Sequence, residues 1–398
     1  MPNVTFYFEV HQPYRIKRVM SFDHTEDFID WEKNRAVFNK VAEKCYIPMT
    51  KLLIELSKKY PEFKTSFSFT GTFLEQAKAF RPEVISLFQE LLDLGGMDIL
   101  DETYYHSLSY LISKQEFISQ INKHREEIWR VFKFKPKVFR NTEAMYSNDI
   151  AKTASQLGYK GIISEGWDKN LGWRSPNYVY TAPQSDISVL LRNYRLSDDI
   201  AFRFSSHEWK EFPLTTEKYS DWLSHNEGET VNLFMDYETF GEHQWQETGI
   251  FEFMRHLPER LINRGVGFNT VSETASIKPA GVFDAPDIIS WADLDRDLSA
   301  WLGNRMQDAA FDKLKSMEDS VLSTGSQELI HKWRILQTSD NFYYMCTKWF
   351  ADGDIHKYFN AYDSPYIAYI NYMNVISHLD REIKTSLKRL GKLADTPA

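Results

Sequence analysis

The first residues of the chain alternate between apolar and polar side chains. The apolar positions are Val4, Phe6, Phe8 and Val10, and the positions between them are Thr5, Tyr7 and Glu9. A period of two is typical of a β-strand. The strand ends at His11-Gln12-Pro13, because proline cannot donate a hydrogen bond to a strand ladder.

Five more short apolar segments follow, and each runs directly into polar or ionisable residues. They span residues 65–69, 97–100, 137–139, 161–163 and 231–235. Patterns typical of helices lie between them, for example at 35–58, 82–94 and 148–157. Alternation of strands and helices predicts parallel strands joined by right-handed crossovers. Such sheets place their sites at the carboxyl ends of the strands.

The many polar strand ends favour a barrel, incomplete or distorted, over an open sheet. A closed ring brings all of these ends to one place, whereas an open sheet usually uses one switch point. The last third of the chain reads as helix, and the breaker residues of 278–281 and Ala285-Pro286 mark the change. We therefore predict an α/β fold, with an incomplete barrel over residues 1–285 and a helical domain over 286–398.

Composition narrows the classes of protein. The chain has 398 residues, of which 42% are hydrophobic and 26% charged, as in a globular protein with a large core. With 56 acidic against 47 basic residues the net charge is −9, which argues against nucleic acid and anionic lipid as partners. The sequence shows neither a secretory leader nor an apolar run of about 20 residues. We expect a cytoplasmic protein without a membrane partner, and Cys45 and Cys346 predict no disulfide framework.

Two carboxylates stand out because each directly follows a predicted strand. They are Glu143 and Asp236, 93 residues apart. Two carboxylates that converge from separate strands suit cleavage of a glycosidic bond, where one supports the anomeric carbon and the other exchanges a proton with the bridging oxygen. The alternative for either residue is a helix cap or a surface ion pair.

Neighbouring residues add to this hypothesis. Arg140 can orient a carboxylate or bind a hydroxyl, and Tyr237 and Trp245 can stack on a sugar face. Aromatic residues make up 15% of the chain. This content fits sugar-binding platforms and an aromatic core equally well, and composition does not choose between them.

The histidines do not show the spacing of a zinc site. His11 is followed by Gln12-Pro13, and His106 has Tyr110 four residues later, where a ligand would be expected. We expect His11 to bind a substrate hydroxyl, and we expect no metal. A mixed site of His11, Asp236 and His243 remains an open alternative. No glycine-rich phosphate or dinucleotide motif occurs, so we expect no cofactor.

A carboxylate interrupts an apolar pattern in the last third. Asp340 shares helical spacing with Trp333, Leu336, Tyr343, Tyr344 and Thr347. A charge on such a face requires a partner. Either Asp340 pairs with an arginine or lysine of the barrel, or this helix closes over the active site and Asp340 binds substrate.

Five segments together resemble family 57 of the glycoside hydrolases, the α-amylase-type family distinct from the common calcium-dependent amylases. They are His11-Gln12-Pro13, residues 71–76 (GTFLEQ), residues 139–143 (FRNTE), residues 236–243 (DYETFGEH) and residues 336–345 (LQTSDNFYYM). They are spread along nearly the whole chain, from residue 11 to residue 345, and the last two are long and specific. Their amino-acid sequences are most similar to those of the compact intracellular α-amylase branch of the family. Some members of that branch lack one or both catalytic carboxylates. Both positions are filled here.

The resemblance implies an incomplete (β/α)7 barrel, followed by a helical domain that completes the cleft, and a retaining mechanism on α-glucans without a metal. Glu143 would be the nucleophile and Asp236 the general acid/base, with carboxyl groups about 5–5.5 Å apart. The expected substrate-binding residues are His11, Gln12, Glu75, His106, Arg140, Tyr237, His243, Trp245 and Asp340.

We therefore predict a retaining hydrolase of α-1,4 bonds in starch, glycogen or maltodextrin. Three alternatives stay open. A 4-α-glucanotransferase or branching enzyme would use the same two carboxylates. A metal-dependent deacetylase or mannosidase could use a related barrel, and a glucan-binding protein could have lost catalysis. The sequence does not predict the oligomeric state.

Overall fold

The computed structural model describes residues 1–20, 27–348 and 360–392. The strands are β1 (Asn3–Val10), β2 (Thr65–Phe69), β3 (Met97–Ile99), β4 (Val138–Phe139), β5 (Gly161–Glu165), β6 (Tyr180–Thr181), β7 (Ser188–Arg192), β8 (Thr230–Asp236) and β9 (Gly281–Val282). The helices of the first two-thirds are α1 (Trp31–Val41), α2 (Ile47–Lys59), α3 (Gly71–Phe80), α4 (Pro82–Asp93), α5 (Ser109–Ile112), α6 (Lys114–Phe132), α7 (Asn148–Gln156), α8 (Asp168–Leu171), α9 (Tyr194–Ala201), α10 (Thr216–Ser224), α11 (Ile250–Asn263) and α12 (Val271–Thr274). The last third contains α13 (Arg305–Lys315), α14 (Glu318–Thr324), α15 (Gln327–Leu336), α16 (Ser339–Tyr343) and α17 (Pro365–Arg389).

Seven of the strands run parallel in two sheets. One sheet has the order β3-β2-β1-β8, and the other has the order β4-β5-β7-β6-β9. Strand β6 is antiparallel to β7 and pairs with β9 at the edge. The crossovers between the parallel strands contain helices, as the alternation in the sequence predicts.

The two sheets are connected on both sides. Between β3 and β4, Asp101 pairs with Phe139, and the Arg140 amide donates to the Asp101 carbonyl at 2.8 Å. Between β7 and β8, the Asn193 amide donates to the Asn232 carbonyl at 2.9 Å, and the Asn232 side chain donates to the Leu191 carbonyl at 2.9 Å. The parallel strands therefore follow one another in a ring.

The core has two layers because both faces of the parallel strands are buried. A large apolar cluster packs one face against the helices and includes Phe6, Phe8 and Phe67. A smaller cluster lies on the opposite face of the strands and includes Tyr7 and Phe234. Residues of β1 and β8 that alternate with the helix-facing ones therefore point into the ring.

The structure confirms the predicted fold class, in which parallel strands and helices are followed by helices. The sequence pattern did not lead us to predict strand β7, which is buried over its whole length. The single helical face predicted around Asp340 is wrong. Helix α15 ends at Leu336 and α16 begins at Ser339, because Thr338 pairs with Ser107 in an isolated antiparallel bridge.

By internal contacts the chain divides into two compact units, which are not simply consecutive. The first contains residues 1–12, 35–102 and 121–291, and the second contains 13–34, 103–120 and 292–398. The predicted boundary between 285 and 286, and closure of a cleft by the helical domain, stay predictions. Among the described residues, none of the helices combines the length and hydrophobicity that crossing a membrane requires.

Candidate active site

Glu143 lies on a strained turn directly after β4. Its backbone φ is +56°, and that of Ala144 is +49°, both in the left-handed region that non-glycine residues rarely adopt. A neighbouring segment holds this turn, because Tyr146 and Ile289 exchange two backbone hydrogen bonds of 2.8 and 2.9 Å. Such strain persists only where the surroundings fix the backbone, and it clusters at active sites.

The Glu143 side chain is half-buried and has a specific donor. The indole Nε1–H of Trp291 donates to Oε2 of Glu143 at 3.0 Å. The Trp291 amide also donates to the Glu143 carbonyl at 3.3 Å. The segment that contains Ile289 and Trp291 therefore contacts both the backbone of the Glu143 turn and the Glu143 carboxyl group.

Asp236 is the last residue of β8 and is also half-buried. In the register of β1 and β8 it stands opposite Glu9. Tyr7 and Phe234, two residues earlier on each strand, face the inner cluster, so Glu9 and Asp236 point to the same inner face. Adjacent parallel strands lie about 4.8 Å apart, which makes the two carboxylates close neighbours.

Arg140 connects the strand of Glu143 with β1, the strand that neighbours the one carrying Asp236. Its guanidinium is fully buried, contacts Oε2 of Glu9, and lies 3.5 Å from Oε2 of Glu102. Burial alone would lower the pKa of Arg140, but the charges of Glu9 and Glu102, with Tyr7 and Glu143 nearby, raise it. Arg140 therefore stays charged and orients carboxylates, which is the first of the two roles considered from the sequence.

A second buried carboxyl group lies beside Asp236. Burial raises the pKa of Glu238 well above its usual value, and the charges of Asp236 and Glu9 raise it further, although a hydrogen bond from Tyr46 opposes this. The Tyr46 hydroxyl in turn accepts from the Gln12 side chain at 3.0 Å. Gln12 is buried, and it is linked to Glu238 through the Tyr46 hydroxyl.

His11 directly follows β1, and Glu75 lies on α3, the helix that follows the neighbouring strand β2. Nδ1 of His11 is 3.0 Å from Oγ1 of Thr70, and Thr70 also caps α3 by accepting from the Phe73 amide at 3.2 Å. Glu75 lies on α3, and both His11 and Glu75 are half-buried. The parallel pairing of β1 and β2 thus brings the His11-Gln12-Pro13 segment next to the 71–76 segment.

The loop that follows Asp236 contains three of the expected sugar-binding residues, which differ in accessibility. Tyr237 is fully buried among Phe8, Phe67 and other rings, and its hydroxyl is 2.9 Å from that of Thr50. The ring cannot reach a sugar in this structure, because tyrosine at this position points to the helix-facing core. We therefore remove Tyr237 from the expected binding set.

The other two loop residues keep access to solvent. Trp245 is 56% exposed, with the Lys44 ammonium 5.5 Å from its ring centre. His243 is half-buried, and burial together with the nearby Lys40 charge lowers its pKa to about 4. His243 is therefore neutral at ordinary pH.

His106 and Asp340 belong to the second unit, where the structure brings them together. The Ser339 amide donates to the His106 carbonyl at 2.9 Å, and the polar side-chain atoms of His106 and Asp340 lie within 4.8 Å of each other. His106 is buried and has a φ of +50°. The Asp340 charge also contributes to the raised pKa of Tyr344, after burial, which is the main cause.

The alternative metal site does not form among the described residues. His11, Asp236 and His243 do not bring three ligand atoms within 4.8 Å of one another. The strand register instead pairs Asp236 with Glu9.

Four residues of the site were absent from the sequence-based set. Glu9 is the charged residue among the alternate positions of β1, Glu102 follows a strand, and Glu238 lies in the 236–243 segment, so each had a local signal. Trp291 had none, because only the pairing of residues 285–291 with the Glu143 turn brings it to the site.

Comparison with known proteins decides the family. The model of glycosyl hydrolase family 57 matches residues 5–289. A protein of Methanocaldococcus jannaschii named "Putative alpha-amylase" is 45% identical, over 97% of this chain and 86% of that protein. This chain belongs to glycosyl hydrolase family 57. It is a glycosidase, and the resemblance identified from the five sequence segments is confirmed.

Solved structures agree in fold. A branching enzyme of this family from Thermococcus kodakaraensis superposes with a TM-score of 0.72 at 15% identity, over 100% of this chain and 92% of that one. A 4-alpha-glucanotransferase from Thermococcus litoralis gives a TM-score of 0.66 at 16% identity, over 86% of this chain. This chain spans only 56% of the length of the glucanotransferase. At these identities the likeness shows the fold alone.

Proposed function

We propose that this family 57 protein is a retaining α-glucan hydrolase of the α-amylase type. Its substrates are the α-1,4 bonds of starch, glycogen or maltodextrins. Glu143 is the nucleophile, and Asp236 is the general acid/base. The relative named as an alpha-amylase, which covers nearly the whole chain, supports this choice of substrate.

The reaction proceeds in two displacements. An oxygen of Glu143 bonds to the anomeric carbon, the glycosidic bond breaks, and its electron pair stays on the leaving oxygen, which takes the proton of Asp236. The Asp236 carboxylate then removes a proton from water, and the hydroxide oxygen displaces Glu143 from the anomeric carbon. The proton returned to Asp236 restores the starting state.

One observation carries the proposal. The buried Arg140 joins the Glu143 strand to Glu9, which stands opposite Asp236 in the strand register. Both proposed catalytic residues thus follow the carboxyl ends of strands in the same ring, where parallel α/β folds place their chemistry. The half-buried state of both side chains leaves them accessible to a sugar.

Product analysis on maltooligosaccharides tests the proposal. We expect ¹H NMR to show the α-anomer as the first product, and Glu143→Gln to abolish its release while the fold is kept. Glu90→Gln is the matched control, because Glu90 forms an exposed pair with Lys58. A β-anomer as the first product, or parental turnover by Glu143→Gln, refutes the assignment.

Transfer to a sugar acceptor is the second candidate function. Solved proteins that share this fold are named as a branching enzyme and a 4-alpha-glucanotransferase, which is the reason to test it. Incubation with maltotriose separates the two, because transfer yields products longer than the substrate. Binding of maltodextrin without release of any reducing end would instead support a glucan-binding protein. Loss of activity with a chelator would favour the metal-dependent alternative.

A further inference from the structure

The indole of Trp291 holds the carboxyl group that we propose as the nucleophile. Its Nε1–H donates to Oε2 of Glu143 at 3.0 Å. A donor on a carboxylate favours the charged form and fixes the rotation of the carboxyl group about its last bond. The same residue bonds the Glu143 carbonyl through its backbone amide, so side chain and main chain both hold this turn.

Two buried arginines fix the indole itself. The guanidinium carbons of Arg140 and Arg192 lie 5.0 and 5.8 Å from the centre of its ring. Cations this close to an aromatic ring are attracted to its face. Two buried guanidinium groups thus restrain the indole.

Carboxylates hold each arginine in turn. Arg140 contacts Glu9 and Glu102, while Arg192 lies 3.1 Å from Glu165 and 2.5 Å from Asp198. The Nε of Arg192 also donates to the Phe234 carbonyl of β8 at 2.8 Å. One of the two arginines beside the indole follows β4, and the other is hydrogen-bonded to β8. The indole is therefore restrained from the strands that carry both proposed catalytic residues.

We propose that Trp291 is a positioning residue for Glu143. Its N–H keeps the Glu143 carboxylate ionised and oriented for attack, and the two arginines keep the indole in place. This inference rests on the proposed function, since it needs Glu143 to be the nucleophile. It assigns Trp291 a role through Glu143 and not through contact with sugar.

Replacement of Trp291 by phenylalanine tests the N–H, because an aromatic ring remains beside the two guanidinium groups. On an aryl α-maltotrioside we expect kcat to fall about 10- to 100-fold, as for loss of one charge-assisted hydrogen bond. We expect KM to stay near the parent value and the acidic limb of the kcat/KM profile to move to higher pH. Trp222→Phe is the control, since Trp222 is half-buried against Tyr219 and Trp209.

A second variant, Trp291→His, keeps a ring N–H and guards against a folding failure of the first. We expect its kcat to lie between those of the parent and Trp291→Phe. Circular dichroism and thermal melting establish that each variant is folded.

Several results would overturn the inference and leave the proposed function standing. One is parental kcat and pH profile in Trp291→Phe while Glu143→Gln is inactive. Another is a rise in KM alone, which would make Trp291 a sugar platform. Equal kcat of the histidine and phenylalanine variants would also exclude a role of the N–H. If Glu143→Gln itself keeps parental turnover, the proposed function fails first.

Discussion

Glu9 and Asp236 stand opposite each other on β1 and β8, and the carboxylate of Glu9 is held by the buried guanidinium of Arg140. The pairing explains how residues far apart in sequence share one environment. The register of β1 and β8 places Glu9 opposite Asp236. The buried ion pair with Arg140 then connects Glu9 to the segment that carries Glu143. The arrangement is tight, because Arg140 is fully buried and Glu9 is 3% exposed.

Removal of the Arg140 charge should destabilise the fold. Arg140→Met leaves Glu9 and Glu102 buried without their cation, so we expect the free energy of unfolding to fall by about 3–5 kcal/mol. Urea unfolding measures this change. Arg195→Met is the control, since its pair with Asp168 is exposed and should contribute at most about 1 kcal/mol. Equal losses in the two variants would contradict the role given to Arg140.

His124 should make stability depend on pH. Its Nδ1 contacts Asp101, and its Nε2 lies 2.7 Å from the Phe69 carbonyl, so both ring nitrogens face acceptors. Burial alone would lower the pKa of His124, but the hydrogen bond and charge of Asp101 and the charge of Glu102 raise it. The folded state therefore favours the imidazolium.

The raised pKa of His124 determines how the stability of the fold changes with pH. Because the folded pKa lies above the unfolded value of about 6.5, the stabilisation is full below that pH and is lost as pH rises through the folded pKa. We expect His124→Gln to lose about 1.5–3 kcal/mol at pH 6 and clearly less at pH 9. Chemical unfolding at the two pH values measures the difference, and the exposed His225→Gln should show none. A loss that is constant with pH would refute a charged His124.

Tyr237 should act as a core residue. Tyr237→Phe removes the contact with Thr50 and keeps the ring packing, so we expect a stability loss of about 0.5–1.5 kcal/mol and unchanged KM for maltodextrin. Steady-state kinetics and thermal melting measure the two quantities. A clear rise in KM would restore the sugar contact that the sequence suggested.

Trp245 should contribute to glucan binding. It is 56% exposed in the loop that follows Asp236, so its ring is available to a sugar face. We expect Trp245→Ala to raise KM for maltooligosaccharides about 5- to 30-fold, which corresponds to about 1–2 kcal/mol, with kcat nearly unchanged. Trp173→Ala is the control, because Trp173 is 95% exposed and lies in another loop. The same KM in both variants would remove Trp245 from the binding set.

The sequence by itself determined the features that depend on local pattern. The alternation in β1, the strand–helix order and the polar strand ends predicted a parallel α/β fold with its chemistry at one edge. Glu143 and Asp236 could be identified because each directly follows an apolar segment. Five short segments then sufficed to indicate the family, which the comparisons confirm.

Only the tertiary structure decided which side chains surround those two residues. Tyr237 and Trp245 have equal claims as sugar platforms in the sequence, but one packs into the core and the other remains exposed. Trp291 has no local signal, because its contact with Glu143 depends on pairing between segments almost 150 residues apart. Strand register and buried charge pairing are long-range properties, and periodicity along the chain does not encode which distant partner satisfies a buried group.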